Sequence, residues 1–209
     1  MAQVDYQDNV FINCPFDSTY KPVLDAIVFA VHDAGFVARS ALEVSDATQN
    51  RYDKILRIIS ECRYGVHDIS RTELDEATSL PRFNMPLELG LFLGCKRFGN
   101  RTQRMKSCLI LDREPHRYQL FLSDLAGQDI CSHASSPDQA IGLVRDWLRT
   151  ESKRAGIPGK AAMSARYQRF RRELPEICSR LNIRIEEMTF VDYFEIVVEW
   201  LGSGAFSSS

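Results

Sequence analysis

Glu88 is the residue of this sequence whose surroundings most favour chemistry. Residues 83–90 read Phe-Asn-Met-Pro-Leu-Glu-Leu-Gly, which predicts a loop followed by the first turn of an otherwise apolar helix. A carboxylate in that turn lies near the positive end of the helix dipole, which favours its ionised form. Such a carboxylate could attack or stabilise a sugar carbon. The alternative is that Glu88 only caps its helix, a common use of Glu at this position.

Polar residues follow two predicted strands and precede the Glu88 helix. A strand over residues 9–13 ends in a turn, a strand over residues 64–69 carries His67, and a loop leads to the helix. Asp17 could instead cap a helix, Asp68 could bind backbone amides, and His67 could lie in the core. If the strands are parallel, their carboxyl ends form one crevice, where open α/β sheets bind ligands. We expect this crevice to include Asn13, Pro15, Phe16, Asp17, Asp68, Asn84 and Glu88.

Strands and helices alternate along the first two thirds of the chain. Further strands are predicted at residues 36–39, 107–112 and around 129–131, and helical periodicity lies between them. This alternation is typical of a parallel sheet with helices on both faces. From about residue 137 only helical periodicity remains. The sequence therefore predicts an α/β domain over residues 1–135 with five parallel strands in flavodoxin-like order. A helical extension over 136–201 and a disordered Gly/Ser-rich tail over 202–209 complete the prediction.

The composition of the chain argues against several classes of function. The chain has 209 residues, a net charge of -2 and a pI near 6.1, which does not suggest a dedicated nucleic-acid binder. It has no apolar run of about 20 residues for a bilayer and no signal-peptide pattern at its start. Six scattered cysteines without a C-x-x-C pair are typical of reduced thiols, and four scattered histidines argue against zinc. We therefore expect a cytoplasmic protein without a metal site.

The standard nucleotide and hydrolase motifs are missing. No G-x-G-x-x-G follows the first strand, and neither a G-x-x-x-x-G-K-[ST] nor a G-x-S-x-G sequence occurs. A dinucleotide-binding Rossmann turn, a P-loop ATPase and the usual serine hydrolase arrangement are therefore unsupported.

Three segments together resemble the nucleoside 2-deoxyribosyltransferase-like proteins. They are residues 10–17 (Val-Phe-Ile-Asn-Cys-Pro-Phe-Asp), the strand ending in Asp68, and residues 86–90 (Pro-Leu-Glu-Leu-Gly), within roughly residues 9–135. That superfamily is close in architecture to the bacterial, NAD-cleaving Toll/interleukin-1 receptor (TIR) domains. The resemblance implies that Glu88 is catalytic and that Asp68 helps with the leaving base. The transferases carry an aspartate where this chain has Arg82, which favours hydrolysis of an N-glycoside over deoxyribosyl transfer.

The resemblance also implies a biological setting. Members often act as effectors or signal producers in bacterial defence against phage, so NAD would be a substrate and no cofactor is expected. The chain would be activated by self-association into a homo-oligomer or by a sensor protein.

The expected chemistry is stabilisation of an oxocarbenium-like sugar by Glu88. Asp68 and Asn84 would hold ribose hydroxyls or the base, Phe16 would stack on the base, and Arg39 would meet a phosphate or form a surface salt bridge. Two alternatives stay open: a non-catalytic module that binds a nucleotide signal, and a protein-interaction adaptor that uses the basic run at residues 166–172. NAD against a nucleoside or nucleotide, and hydrolysis against cyclisation or transfer, also stay open.

Overall fold

The protein is an α/β fold around one parallel sheet. The computed structural model describes residues 5–43, 48–74 and 79–203. Within these residues five strands, all parallel, lie in the order β2-β1-β3-β4-β5, which is flavodoxin-like as predicted. The strands are β1 (Asn9–Asn13), β2 (Val37–Arg39), β3 (Tyr64–Asp68), β4 (Ser107–Asp112) and β5 (Ile130–Ser132).

The described part of the chain has six α-helices. They are α1 (Lys21–Asp33), α2 (Arg51–Ser60), α3 (Asn84–Phe98), α4 (Pro137–Ser152), α5 (Lys160–Arg180) and α6 (Phe190–Gly202). Helices α1 and α4 pack on one face of the sheet, α2 and α3 pack on the other, and α5 and α6 pack against α1 and α4. Side chains alternate across a strand, so Val10 and Ile12 of β1 join the core under α1 and α4, whereas Phe11 joins a second core under α2 and α3. The buried β1 strand thus anchors both layers.

The C-terminal helices share the larger core with the sheet, so hydrophobic packing is continuous across residue 135. The ring of Phe29 in α1 lies 5.4 Å from that of Phe170 in α5 and 6.0 Å from that of Trp200 in α6. Trp147 of α4 packs edge-on against Tyr64 of β3. Gly202 is the last residue of α6, and residues 204–209 of the predicted tail lie outside the described residues.

The two boundaries of α1 show how local chemistry defines the ends of a helix. The backbone amide of Tyr20 bonds the side chain and the carbonyl of Asp17, which closes a turn, so α1 begins at Lys21 rather than directly after Asp17. Gly35 has φ +78° and ends the α1 segment, as expected for a glycine in the left-handed region. In the described residues, no helix combines the length and apolar character that a membrane span requires.

Candidate active site

Glu88 lines a cavity of about 130 Å³ at the carboxyl edge of the sheet. The turn after β1, the start of α2, the loop after β3 and the start of α3 form its walls. Five residues predicted for this crevice line it, and three arginines surround them. The lining residues are Pro15, Phe16, Asp17, Arg51, Arg71, Arg82, Asn84, Met85 and Glu88.

Glu88 is the fifth residue of α3, one turn further along the helix than the sequence predicts. The N-cap residue is Phe83, which makes no side-chain capping hydrogen bond, and the first turn of α3 has no acidic residue. Glu88 therefore does not cap the helix. Because the effect of the helix dipole falls off within the first turn, the expectation that the dipole keeps Glu88 ionised is also wrong.

Burial controls the protonation of Glu88. The residue is only 8% exposed, and burial raises its pKa from 4.5 to about 7, although the positive charge of Arg51 acts in the opposite direction. Among the described residues, no side chain donates a hydrogen bond to the carboxylate. Near neutral pH, Glu88 therefore exchanges between its neutral and ionised forms, a property typical of catalytic carboxylates.

Asn13 fixes the start of α3 but does not line the cavity. Its side-chain amide is buried at the end of β1, where it donates to the carbonyl oxygen of Met85 at 2.8 Å and to Nδ1 of His67 at 3.0 Å. Since Met85 is three residues before Glu88, these bonds tie the position of the carboxylate to β1 and β3. Asn13 thus holds the start of α3 in place and is not among the residues that line the cavity.

His67 has the role of a core residue. Its ring is fully buried and packs against the rings of Phe92 and Phe11, with centroids 4.8 and 5.9 Å away. Burial lowers the pKa of His67 to about 3, so its imidazole is neutral at physiological pH. This agrees with the core alternative that the sequence left open.

The three cavity arginines come from separate segments. Arg51 begins α2, Arg82 immediately precedes the N-cap of α3, and Arg71 follows β3. Arg71 lies 3.4 Å from Asp17 (Nε to Oδ2) and 3.6 Å from Glu73 (Nη1 to Oε2). Guanidinium groups suit phosphate because they bind its oxygens with two parallel hydrogen bonds. None of the three arginines was predicted as a site residue, although the positions of Arg51 after β2 and Arg71 after β3 are an available signal.

The turn after β1 presents one aromatic and one charged side chain to the cavity. Phe16 is 40% exposed, so one part of its ring is available to a ligand. Burial raises the pKa of Asp17, but hydrogen bonds from Thr19 and the charge of Arg71 outweigh it, and the net pKa is below the usual value. Asp17 is therefore ionised in this site at neutral pH.

Asp68 lies beneath the site and is not among the residues that line the cavity. It is fully buried and accepts hydrogen bonds from the Ser70 amide at 2.8 Å, the Ser70 hydroxyl and Nε2 of His133 at 2.8 Å. Burial and the neighbouring charges of Asp68 and Glu88 raise the pKa of the Cys14 thiol well above its usual value. Asp68 thus lies behind the Cys14 turn, where it holds the loops after β3 and β5.

Arg39 belongs to a separate cluster at the edge of the sheet. It bonds Glu43 at 2.6 to 3.0 Å and Glu61 at 3.0 Å, and it does not line the Glu88 cavity. The salt-bridge alternative therefore describes the geometry of this residue.

Arg117 holds the loop that carries Arg71, a function that the sequence does not reveal. Its guanidinium bonds the buried Asp112 at 2.5 and 2.9 Å, the carbonyl of Ser70 at 2.7 Å and the hydroxyl of Thr72 at 2.6 Å. The buried end of β4 and the loop after β3 are thereby joined. Arg117 thus holds both neighbours of Arg71, Ser70 by its backbone and Thr72 by its side chain.

Across the described residues, no three His, Cys, Asp or Glu side chains are arranged to hold a metal ion. Comparisons with protein-family models, curated proteins and solved structures find no match to this chain. The superfamily resemblance therefore depends on the residues and their order in the fold.

Proposed function

We propose that this protein is an N-glycosidase that cleaves the bond between base and ribose in NAD or a related nucleotide, with Glu88 as the catalytic carboxylate. The observation that carries the proposal is the Glu88 cavity, in which a buried carboxylate lies among three arginines and an exposed aromatic ring. Ribose, phosphate and base each have a chemically suitable partner in this set.

The proposed reaction needs charge stabilisation at the sugar. When the C1′–N bond of the nicotinamide riboside unit breaks, its electron pair goes to nicotinamide, which leaves as a neutral molecule, and positive charge develops on the ribose. The ionised Glu88 stabilises this charge or captures C1′ covalently, and water then supplies the hydroxyl of the product. Asn84, which is exposed at the start of α3, is suited to bind a ribose hydroxyl.

The acids of the cavity favour a cationic leaving group. Glu88 and Asp17 are the two carboxylates that line it in the described part of the chain, and the pKa of Asp17 is lowered. Neither can protonate a leaving base while Glu88 acts as the ionised stabiliser. A neutral nucleoside needs such a proton more than a nicotinamide riboside does, so we favour NAD over nucleosides.

The arginines of the Glu88 cavity are suited to bind the phosphates of a nucleotide. A volume of about 130 Å³ is smaller than the roughly 300 to 1,000 Å³ of pockets that enclose a whole drug-sized ligand. Only part of a nucleotide can lie inside, and the phosphates would lie at the arginine rim. Asp68, which does not reach the cavity, would act by positioning the Cys14 turn.

An adaptor function that uses residues 166–172 has less support. Arg166 bonds Asp33, Arg169 bonds Glu173, and Arg171 lies 3.3 Å from Asp25. Tyr167 and Phe170 of the same run are buried. Two of the four arginines in this segment, Arg166 and Arg171, thus pair with aspartates of α1 and help to hold α5 in place, so their charges already have partners within the protein.

The test is incubation of concentrated protein with NAD, NADP, nicotinamide mononucleotide and nucleosides, followed by chromatography of the products. We expect release of nicotinamide and a loss of about 1,000-fold or more in Glu88→Gln, which keeps the shape but not the charge. Glu195→Gln, on the exposed face of α6, is the matched control and should keep full activity. Full turnover by Glu88→Gln would contradict the proposal.

An inactive wild type that binds NAD would favour the binding-module alternative. The resemblance further suggests an effector or signal-producing role in bacterial anti-phage defence, with self-association or a sensor protein as the activator. Activity that rises more than linearly with protein concentration would support self-association.

A further inference from the structure

A second cavity of about 130 Å³ lies on the other side of Phe16, which is the one described residue that lines both cavities. We call it the α6 cavity, because the start of α6 closes it. Most of its described lining residues are apolar or aromatic, and the two charged ones, Lys21 and Asp25, form an ion pair. The lining residues are Phe16, Lys21, Leu24, Asp25, Val28, Leu42, Met188, Phe190 and Tyr193.

The fold builds the α6 cavity from elements distant in sequence. Leu24 and Val28 lie on one face of α1, Leu42 comes from the turn after β2, and the other wall is the start of α6. The Tyr193 hydroxyl donates to the backbone carbonyl of Asp25 at 2.9 Å, which fixes α6 against α1. The C-terminal helices thereby contribute a wall beside the Glu88 cavity.

Asp25 provides a buried acceptor in the α6 cavity. It is 3% exposed, and its carboxylate receives hydrogen bonds from Lys21 at 2.9 Å and from Arg171 at 3.3 Å. An ionised carboxylate has about four acceptor positions, so two bonds leave capacity for another donor. The side chain of Lys21 is 39% exposed, which leaves its cationic end partly available to solvent or ligand.

We infer that the α6 cavity binds the adenine ring of a dinucleotide whose nicotinamide end lies in the Glu88 cavity. The inference rests on the proposed function and specifies its substrate class. The aromatic lining suits a planar ring, and the buried Asp25 suits the exocyclic amino group of adenine. Phe16 separates the two bases, and cations lie on both sides of it, with Lys21 on one side and arginines on the other. This distribution of charge suits a pyrophosphate that crosses between the cavities.

Binding of AMP tests the α6 cavity without any cleavage. Leu42→Trp fills the cavity from its half-buried wall, and Phe190→Ala removes an aromatic wall should the first variant fail to fold. Calorimetry should give AMP affinities at least ten-fold weaker for either variant, and a value within two-fold of wild type for Glu88→Gln. Leu120→Trp, at a site 87% exposed and outside both cavities, is the control. Undetectable AMP binding to the wild type, or a loss in Glu88→Gln alone, would overturn the inference.

Kinetics provide the second readout. Leu42→Trp should raise KM for NAD at least ten-fold and change kcat/KM for nicotinamide mononucleotide less than two-fold, because the mononucleotide lacks adenosine. Equal effects on both substrates would refute the α6 site while leaving N-glycosidase activity intact. If no substrate is cleaved but AMP binding still depends on Leu42, the proposed activity is refuted and the α6 site is supported.

Discussion

Replacing Glu88 by Gln should stabilise the protein above neutral pH, although it removes the proposed catalytic group. In the native protein, burial raises the pKa of Glu88 from 4.5 to about 7. Each pKa unit corresponds to about 1.4 kcal/mol, so holding the ionised carboxylate in this site costs about 3 kcal/mol of folding free energy. Glutamine has a similar shape and no charge, and it therefore avoids this cost.

The pH dependence has a definite sign. Between about 4.5 and 7 the folded state binds a proton on Glu88 that the unfolded state has lost, so the contribution of this group to stability falls as pH rises through that window. Above about 7 both states are ionised and the full cost is present. The stability difference between Glu88→Gln and wild type should thus be near zero at pH 4.5 and about 3 kcal/mol in favour of the variant at pH 8.

Urea unfolding of both proteins from pH 4.5 to 8 measures this difference directly. Groups other than Glu88 titrate in both proteins, so their effects cancel in the comparison. Glu195→Gln, a substitution at an exposed glutamate, should track the wild type at every pH. Two outcomes would refute the idea that ionised Glu88 lowers stability. One is a Glu88→Gln variant that is less stable than the wild type at pH 8, and the other is a stability difference between the two proteins that does not change with pH.

Three other substitutions test the parts around Glu88. Asn13→Ala leaves the buried Met85 carbonyl without its donor. The substitution should lower the free energy of unfolding in urea by about 1 to 3 kcal/mol and should also lower kcat. Unchanged stability would contradict the positioning role. Arg71→Gln should raise KM for NAD about ten-fold and leave KM for nicotinamide riboside, which has no phosphate, unchanged; equal changes would argue against a phosphate contact. Asp68→Asn disturbs a buried hydrogen-bond network and should reduce NAD cleavage less than Glu88→Gln does. Near-equal losses would contradict this indirect role and indicate that Asp68 takes part in the reaction itself.

The sheet and the Glu88 crevice could be predicted because both depend on local patterns. Alternating strand and helix periods determine a parallel sheet, and the carboxyl ends of its strands must meet at one edge. Pro15, Phe16, Asp17, Asn84 and Glu88 all line one cavity for that reason.

Residue roles that depend on distant partners could not be predicted in this way. Asp68 bonds His133, which is 65 positions away, and Arg39 bonds Glu61 across 22 positions. The pKa of Glu88 results from burial by several segments, which the dipole argument ignores. Periodicity identified the C-terminal helices but not their contacts.

One sequence signal for those contacts was available. Residues 23–31 of α1 are all buried, since α1 packs both on the sheet and against the later helices. A helix that is apolar around most of its circumference is typical of this arrangement.

The most direct test of the central claim is kcat/KM for nicotinamide release from NAD as a function of pH, measured for the wild type and for Glu88→Gln. If the ionised carboxylate in the cavity carries catalysis, wild-type kcat/KM rises with pH, with an apparent pKa of about 7, and reaches a plateau above it. Glu88→Gln should then show no such rise and at most about a thousandth of the plateau rate. A wild-type rate that falls as pH increases through 7, or a Glu88→Gln profile equal to that of the wild type, would contradict the account.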